Sequence, residues 1–203
     1  KKKLRELSGF GRKTEEMLLK GIHVLKTKPK RFPYETVIPV VRKIKTYLTK
    51  HPKVTQVAVA GSFRRKKSTV GDVDFVIVST RPKDVMDHFV SYKDVDDIIV
   101  KGPTRGSVRL QNGLQVDCRI VKTKEFGSAL LYFSGGKQHN IELRKIALRQ
   151  GYTLSEYGLY TLQEKKWVAG KTEKDIYTQL GLRYIPPRER LGMKEFVKYK
   201  NKK

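Results

Sequence analysis

Asp72 and Asp74 stand one residue apart in Gly71-Asp72-Val73-Asp74-Phe75, downstream of a Gly61-Ser62 step and the basic run Arg64-Arg65-Lys66-Lys67. Val57 to Ala60 before the step, and Val73 with Phe75 to Val78 around the aspartates, are short apolar runs that read as strands. Residues two apart on a strand share a face, so both carboxylates project together while Val73 enters the core. Like charges held that close repel, and a hard divalent cation relieves the repulsion; oxygen ligands plus substrate phosphates suit Mg2+, with Mn2+ as a substitute. Asp117 alternates with Val116 and Cys118 in a further strand, Leu114 to Val121. Alone it would be an edge-strand residue facing water. Joined to the first pair it would complete a site for two metal ions, one activating a hydroxyl and one clamping phosphates. That is the chemistry of phosphoryl or nucleotidyl transfer.

The turn beside the pair is suited to phosphate. Gly61 allows close backbone approach, the Ser62 hydroxyl and nearby N–H groups can donate to phosphate oxygens, and Arg65 offers a guanidinium fork. Gly71 would let substrate or metal come close to the strand. Arg64, Lys66 and Lys67 read equally as solvated turn charges, the lysines above all. The balance of 45 basic against 20 acidic residues, a net charge of +25, calls for a polyanionic partner. No long apolar stretch, signal peptide or lipidation motif is present, which favours nucleic acid over a membrane surface. The single cysteine, Cys118, excludes an internal disulfide and reads as a small buried strand residue of a reducing, cytoplasmic or nucleoid-associated protein. The chain opens on Lys1-Lys2-Lys3 without methionine and reads as a piece lacking upstream sequence.

The remaining pattern supplies the elements that must position these groups. Leu4 to Ile22 reads as helix, Gly9-Phe10-Gly11 turn, helix, with Thr14-Glu15-Glu16 opening the second helix. The free N–H groups of such a turn can meet a phosphate, or the motif can be an ordinary helical hairpin; the basic composition tips it toward DNA. A basic linker from Lys26 to Pro33 precedes a helix over Tyr34 to His51, with Pro39 near its start. Asp84 to Val90 reads as a helix, Val95 to Val100 as a strand, and Ser107 to Leu110 with Leu114 to Val121 as a hairpin about Asn112-Gly113. Helices follow to Phe133 and from Gln138 to Gln150, separated by Ser134-Gly135-Gly136. Short strands, a helix over Glu173 to Leu180 and a Pro186-Pro187 stop come next. The basic tail from Lys194 to Lys203 is expected to be mobile and solvated. His139, with no close carboxylate in sequence, reads as a polar surface or substrate contact rather than a metal ligand.

Gly61-Ser62-Phe63-Arg64-Arg65, Thr69-Val70-Gly71-Asp72-Val73-Asp74, Gln115-Val116-Asp117-Cys118-Arg119, Tyr132-Phe133-Ser134-Gly135 and Ser155-Glu156-Tyr157-Gly158-Leu159 together resemble the ordered motifs of family X DNA polymerases. Asn112 to Asp117 and Gly136 to Asn140 are most similar to its bacterial and archaeal branch. The resemblance implies an α+β fold: a nucleotidyltransferase palm, a mixed sheet with packed helices, at residues 32–122. It is flanked by helix-hairpin-helix fingers at 1–31, an α/β thumb at 123–192 and a basic tail at 193–203. It implies that Asp72 and Asp74 bind both metals and Asp117 the one near the primer 3′-hydroxyl. Ser62, Arg65 and Gly71 match triphosphate contacts, Tyr132, Phe133 and Gly135 the sugar and base contacts, and Asn140 a base-edge contact. Arg144, Glu156 and Tyr157 match positions near the template and nascent pair, or else packing and helix-surface positions. Gly9, Gly11 and Arg119 complete the implied DNA contacts.

Two residues depart from the family pattern. Gln115 stands where the mammalian beta-type polymerases have arginine, removing a cation that could orient the third aspartate. Gly136 stands where serine is frequent, which is expected to loosen the turn shaping the nucleotide pocket. Neither a lyase domain nor a phosphoesterase domain is assigned to these residues. The reading is therefore a gap-filling, DNA-directed DNA polymerase acting as a monomer on primer-template DNA and dNTPs. The alternatives are a template-independent terminal or small-molecule nucleotidyltransferase and a non-catalytic DNA-end binder.

Overall fold

The computed structural model describes residues 11, 14–15, 30–192 and 194–199, in two units, Lys1–Lys30 and Arg31–Lys203. In the first, Thr14 and Glu15 are helical and the Glu15 N–H donates to Gly11 O at 3.1 Å. The rest of the Leu4 to Ile22 reading, Gly9 included, lies outside the described residues.

The second unit opens with β1 (Phe32–Pro33) and α1 (Tyr34–Thr49), then β2 (Val54–Val59), the single-turn α2 (Gly61–Arg64), β3 (Thr69–Val70), β4 (Asp72–Ser79) and α3 (Pro82–Val90). β5 (Val95–Lys101), β6 (Arg105–Leu110) and β7 (Gln115–Val121) complete the first lobe. A mixed sheet runs in the order β2-β4-β7-β6-β5, parallel only between β4 and β7, and β1 pairs separately with β3. The β6–β7 hairpin turns at Asn112-Gly113, where Gly113 has φ 87° and Asn112 Oδ1 accepts the Leu114 N–H at 2.9 Å.

Alternation along β4 and β7 decides what each face of the sheet does. Val73, Phe75 and Ile77, with Val116, Cys118 and Ile120, point to one face, which α1 covers with Val37, Val41, Ile44 and Leu48 and α3 with Val85, Met86 and Phe89. Pro39 lies within α1 on its solvent side, and the helix continues through it. The opposite face is divided. Val76, Val78 and Val121 are covered by Phe126, Ala129 and Leu130 of α4 (Phe126–Ser134). Asp72, Asp74 and Asp117, nearer the start of the same strands, are left beside an open cleft.

The C-terminal lobe comprises α5 (Lys137–Arg149), the sheet β8 (Tyr152–Ser155), β9 (Gly158–Thr161) and β10 (Trp167–Ala169), α6 (Glu173–Gln179) and α7 (Lys194–Lys198). Leu143, Ala147, Leu159, Ile176 and Tyr177 form its core. It is fastened to α4 by backbone: the Gly127 and Ser128 N–H groups, which a helix start leaves unpaired, donate to Lys171 O and Gly170 O. Thr172 and Asp175 form a capping box that starts α6 at Glu173.

The tail reading needs correction over residues 194–199; residues 200–203 lie outside the described residues. Lys194–Lys198 is a helix because it carries an apolar anchor and a buried acid: Phe196 joins the core of the lobe and Glu195 turns inward to His139. His139 is likewise no surface group. It is fully buried, with Nδ1 2.9 Å from Glu195 Oε1 and Nε2 2.8 Å from the Tyr177 hydroxyl. Among the described residues no helix is long and apolar enough to cross a membrane.

Candidate active site

The parallel pairing of β4 with β7 sets Asp74 directly opposite Asp117 and Asp72 opposite Gln115. The antiparallel pairing of β7 with β6 extends these rows to Ser107 and Arg109, and a third row sets Arg119 against Arg105. The cleft beside them has a volume of about 400 Å³ and is lined by Asp74, Gln115, Asp117, Arg119, Arg105 and Ser107 on the sheet. Tyr132 and Phe133 of α4 and Glu156 of the β8–β9 turn close it.

The three carboxylates act on one another. Burial first, then Asp72 and Asp117, push the Asp74 carboxyl up to about 7. Burial and Asp117 raise Asp72, against the pull of Arg31 and Arg65. Gln115 Nε2 lies 3.2 Å from Asp117 Oδ1 and 3.1 Å from Oδ2, so the amide fixes that carboxylate while adding no charge. Among the described residues no group of three or more acidic, histidine or cysteine side chains is arranged to hold a metal ion as it stands. What the row offers is open oxygen ligands whose mutual repulsion a divalent cation would relieve, and this donor set fits Mg2+ or Mn2+.

Beside the row, α2 presents donors without acceptors. The Ser62 hydroxyl and Arg65 Nε are buried and have no hydrogen-bond partner, while Arg65 Nη1 donates to Ser134 O. Buried polar groups are normally satisfied, so an orphaned hydroxyl and guanidinium edge next to carboxylates fit an absent anion. Gly61 has φ 65°, and a Cβ there would overlap Asp74 Oδ2; only glycine lets α2 press against that carboxylate.

The space over Gly71 belongs to Arg31. Its guanidinium donates to Thr69 Oγ1 at 3.0 Å and Thr69 O at 2.7 Å, and Nη1 would stand 3.1 Å from a Cβ on Gly71. By sequence pattern Arg31 falls in the basic linker. Its signal is tertiary, since only the β1–β3 pairing returns it to the start of β4. Ser107 was missed for the same reason: its buried hydroxyl, without a partner, becomes visible as the cross-strand neighbour of Asp117.

On the far wall, Tyr132 and Phe133 meet edge to face at 5.1 Å, and Arg119 lies over the Phe133 ring at 5.3 Å. The Asn140 amide donates to Tyr132 O at 2.7 Å, close under Gly135. Arg144 is exposed on α5 and lines a neighbouring pocket with Tyr132 and Asn140. Tyr157 is 48% exposed, so it is not a packing residue of the lobe.

Two family models match this architecture, DNA polymerase beta palm over residues 31–126 and DNA polymerase beta thumb over residues 129–191. The DNA polymerase/3'-5' exonuclease PolX of Bacillus subtilis is 33% identical over 199 residues, covering 97% of this chain and 35% of the relative. The chain belongs to family X of the DNA polymerases. DNA polymerase lambda of Rattus norvegicus is 34% identical over 158 residues, 64% of this chain and 28% of that protein. The chain thus spans about a third of the length of these two family X relatives. The fold is also that of Leishmania infantum polymerase beta in a ternary P/T complex, with a TM-score of 0.69 at 23% identity over 92% of this chain and 96% of the other. Gln115, two residues before Asp117, is a neutral amide and bonds that carboxylate without adding a charge.

Proposed function

We propose that this chain is the fingers, palm and thumb portion of a gap-filling DNA polymerase. It would transfer a nucleotidyl group from a dNTP to a primer 3′-hydroxyl under template direction, as a monomer in the cytoplasm or nucleoid. The observation that carries this reading is the row Asp74–Asp117 with Asp72 beside it, next to the turn that packs Gly61 on Asp74 and holds the unpartnered donors of Ser62 and Arg65. In it, Asp72, Asp74 and Asp117 would hold two Mg2+ ions, which would supply charge neutralisation at the triphosphate and a lowered pKa at the attacking hydroxyl.

The chain's own groups do the positioning. Ser62, Arg65 and Arg31 take the triphosphate, Gln115 holds Asp117, and Tyr132, Phe133 and Gly135 receive sugar and base, with Asn140 bracing the Tyr132 carbonyl. The bond formed would join the primer O3′ to the α-phosphorus, the bond broken would be that from the α-phosphorus to the oxygen bridging to the β-phosphate, pyrophosphate would leave, and the hydroxyl proton would pass to solvent. Arg105, Arg119, Arg144, Glu156 and Tyr157 line the path of DNA, and the net charge of +25 supplies the sequence-independent attraction. The two lobes support a palm at 32–122 and a thumb at 123–192, preceded by fingers at 1–31.

Primer extension on a one-nucleotide gapped duplex, with and without Mg2+, tests the proposal. Metal-dependent addition of the complementary nucleotide is expected. Equal incorporation of all four nucleotides opposite one template base would indicate a template-independent transferase, and salt-sensitive DNA binding without turnover a DNA-end binder.

A further inference from the structure

Glu173, in the first turn of α6, collects four hydrogen bonds on one buried carboxylate. Arg64 of α2 forks onto it, Nη1 to Oε1 at 2.8 Å and Nη2 to Oε2 at 2.6 Å; Arg190 Nη1 donates to Oε1 at 2.8 Å and the Tyr184 hydroxyl to Oε2 at 3.2 Å. Burial alone would raise this carboxyl, but Arg64 and Arg190 outweigh it and hold it below its ordinary value. Glu173 is therefore an anion between two guanidiniums, one of them fully buried.

The contacts close into a ring. Arg64 Nη1 also donates to Ser134 Oγ at 2.6 Å, and its neighbour Arg65 donates to Ser134 O. On the other side, the Arg190 carbonyl presses on Gly136, where a Cβ would stand 2.9 Å from the oxygen. Glycine at 136 leaves room for this close approach, which a side chain would crowd. Ser134 thus meets Arg64 and Gly136 meets Arg190, both arginines being held by Glu173, and Arg64 belongs to α2, which also carries Ser62 and is followed by Arg65.

We propose that Glu173 is a positioning residue for the incoming nucleotide, acting through Arg64 on both halves of its site. It aligns the triphosphate donors of α2 with the Ser134–Gly136 segment beneath the sugar and base. The inference rests on the nucleotidyl-transfer reading and adds to it a residue far from the reacting atoms. A buried ion pair has two possible uses, stability and geometry, and removing one partner leaves an uncompensated charge in either case. A kinetic separation distinguishes them.

Glu173→Gln is expected to raise the dNTP KM about tenfold while kcat stays within about twofold and gapped-DNA affinity is unchanged. Arg64→Lys keeps a charge for Glu173 but cannot fork to Glu173 and Ser134 together. It is expected to shift KM in the same direction and carries the test if Glu173→Gln does not fold. Titration of a fluorescent dNTP analogue into the DNA-bound protein gives a readout free of turnover, with the dissociation constant rising in parallel. If the folded variants lower the melting temperature but leave KM and analogue binding within twofold of wild type, Glu173 is structural only and the inference is overturned. If the wild type does not extend primers at all, the polymerase reading fails, and analogue binding still decides the role of Glu173.

Discussion

The Gln115 side-chain amide donates to both carboxylate oxygens of Asp117, at 3.2 Å and 3.1 Å, from the strand position paired with Asp72. A hydrogen bond to a charged group contributes about 1.5–3 kcal/mol, which as orientation of a ligand for the reacting centre amounts to roughly ten- to a hundredfold in rate. Gln115→Ala is accordingly expected to lower single-turnover extension by about tenfold or more, with gapped-DNA affinity unchanged. Asp117→Asn, which alters the ligand itself, is expected to abolish extension in the same assay; near-normal extension would remove Asp117 from the site.

Gly61 and Asp74 are mutually constraining, because any side chain at 61 occupies the place of Asp74 Oδ2 and must also adopt a positive φ. Gly61→Ala is expected to displace either the carboxylate or α2 and to reduce kcat/KM at least a hundredfold, of the order of one misplaced catalytic group. A circular dichroism spectrum matching wild type would show that the loss is local. Activity close to wild type would mean that Asp74 and Ser62 need not be held together.

Arg31 is expected to act on the nucleotide rather than on DNA. Arg31→Ala removes the guanidinium that lies over Gly71 and draws the Asp72 carboxyl down, and should raise the dNTP KM about tenfold with a smaller change in kcat. A pure loss of DNA affinity in fluorescence anisotropy would place Arg31 on the DNA path instead.

Buried His139 gives stability a pH dependence. Burial holds its pKa well below the ordinary histidine value, against the opposing pull of Glu195 and Glu173 and in line with Arg190, and Tyr177 caps the other nitrogen. The carboxylate can only accept, so Nδ1 carries the proton and Nε2 accepts from Tyr177. In the unfolded chain the imidazole protonates at its ordinary value near 6.5, while the folded chain resists. The unfolded state therefore binds more protons as pH falls below that value. Stability should be full above it and decline by up to about 1.4 kcal/mol per pH unit down to the depressed native pKa. Thermal unfolding between pH 8 and pH 5 checks this, and His139→Asn should flatten the slope.

Local pattern made much of the molecule legible. Alternation of apolar residues located β4 and β7 and put both aspartates of the first pair on one face; Asn112-Gly113 located the hairpin; the helix expected over Glu173 to Leu180 is α6 (Glu173–Gln179). The tail was misread because charge composition outweighed one phenylalanine: Phe196 had no visible partner until the lobe core formed around it. His139 was misread for a related reason, since its carboxylate comes from Glu195, on another helix.

What the sequence determined by itself is the set of chemical groups, because strand alternation and turn chemistry are short-range and written in neighbouring residues. Asp72 with Asp74, and Ser62 with Arg65, follow from spacing alone. What only the tertiary structure decided is which distant groups meet them. The register of parallel β4 and β7 places Asp117 opposite Asp74, the β1–β3 pairing brings Arg31 over Gly71, and the docking of α6 places Glu173 on Arg64. A parallel pair has no tight turn to set its register, so that register is chosen by the packing of Val73, Phe75, Val116 and Cys118 against α1 and α3, an energy that exists only once the whole sheet has formed.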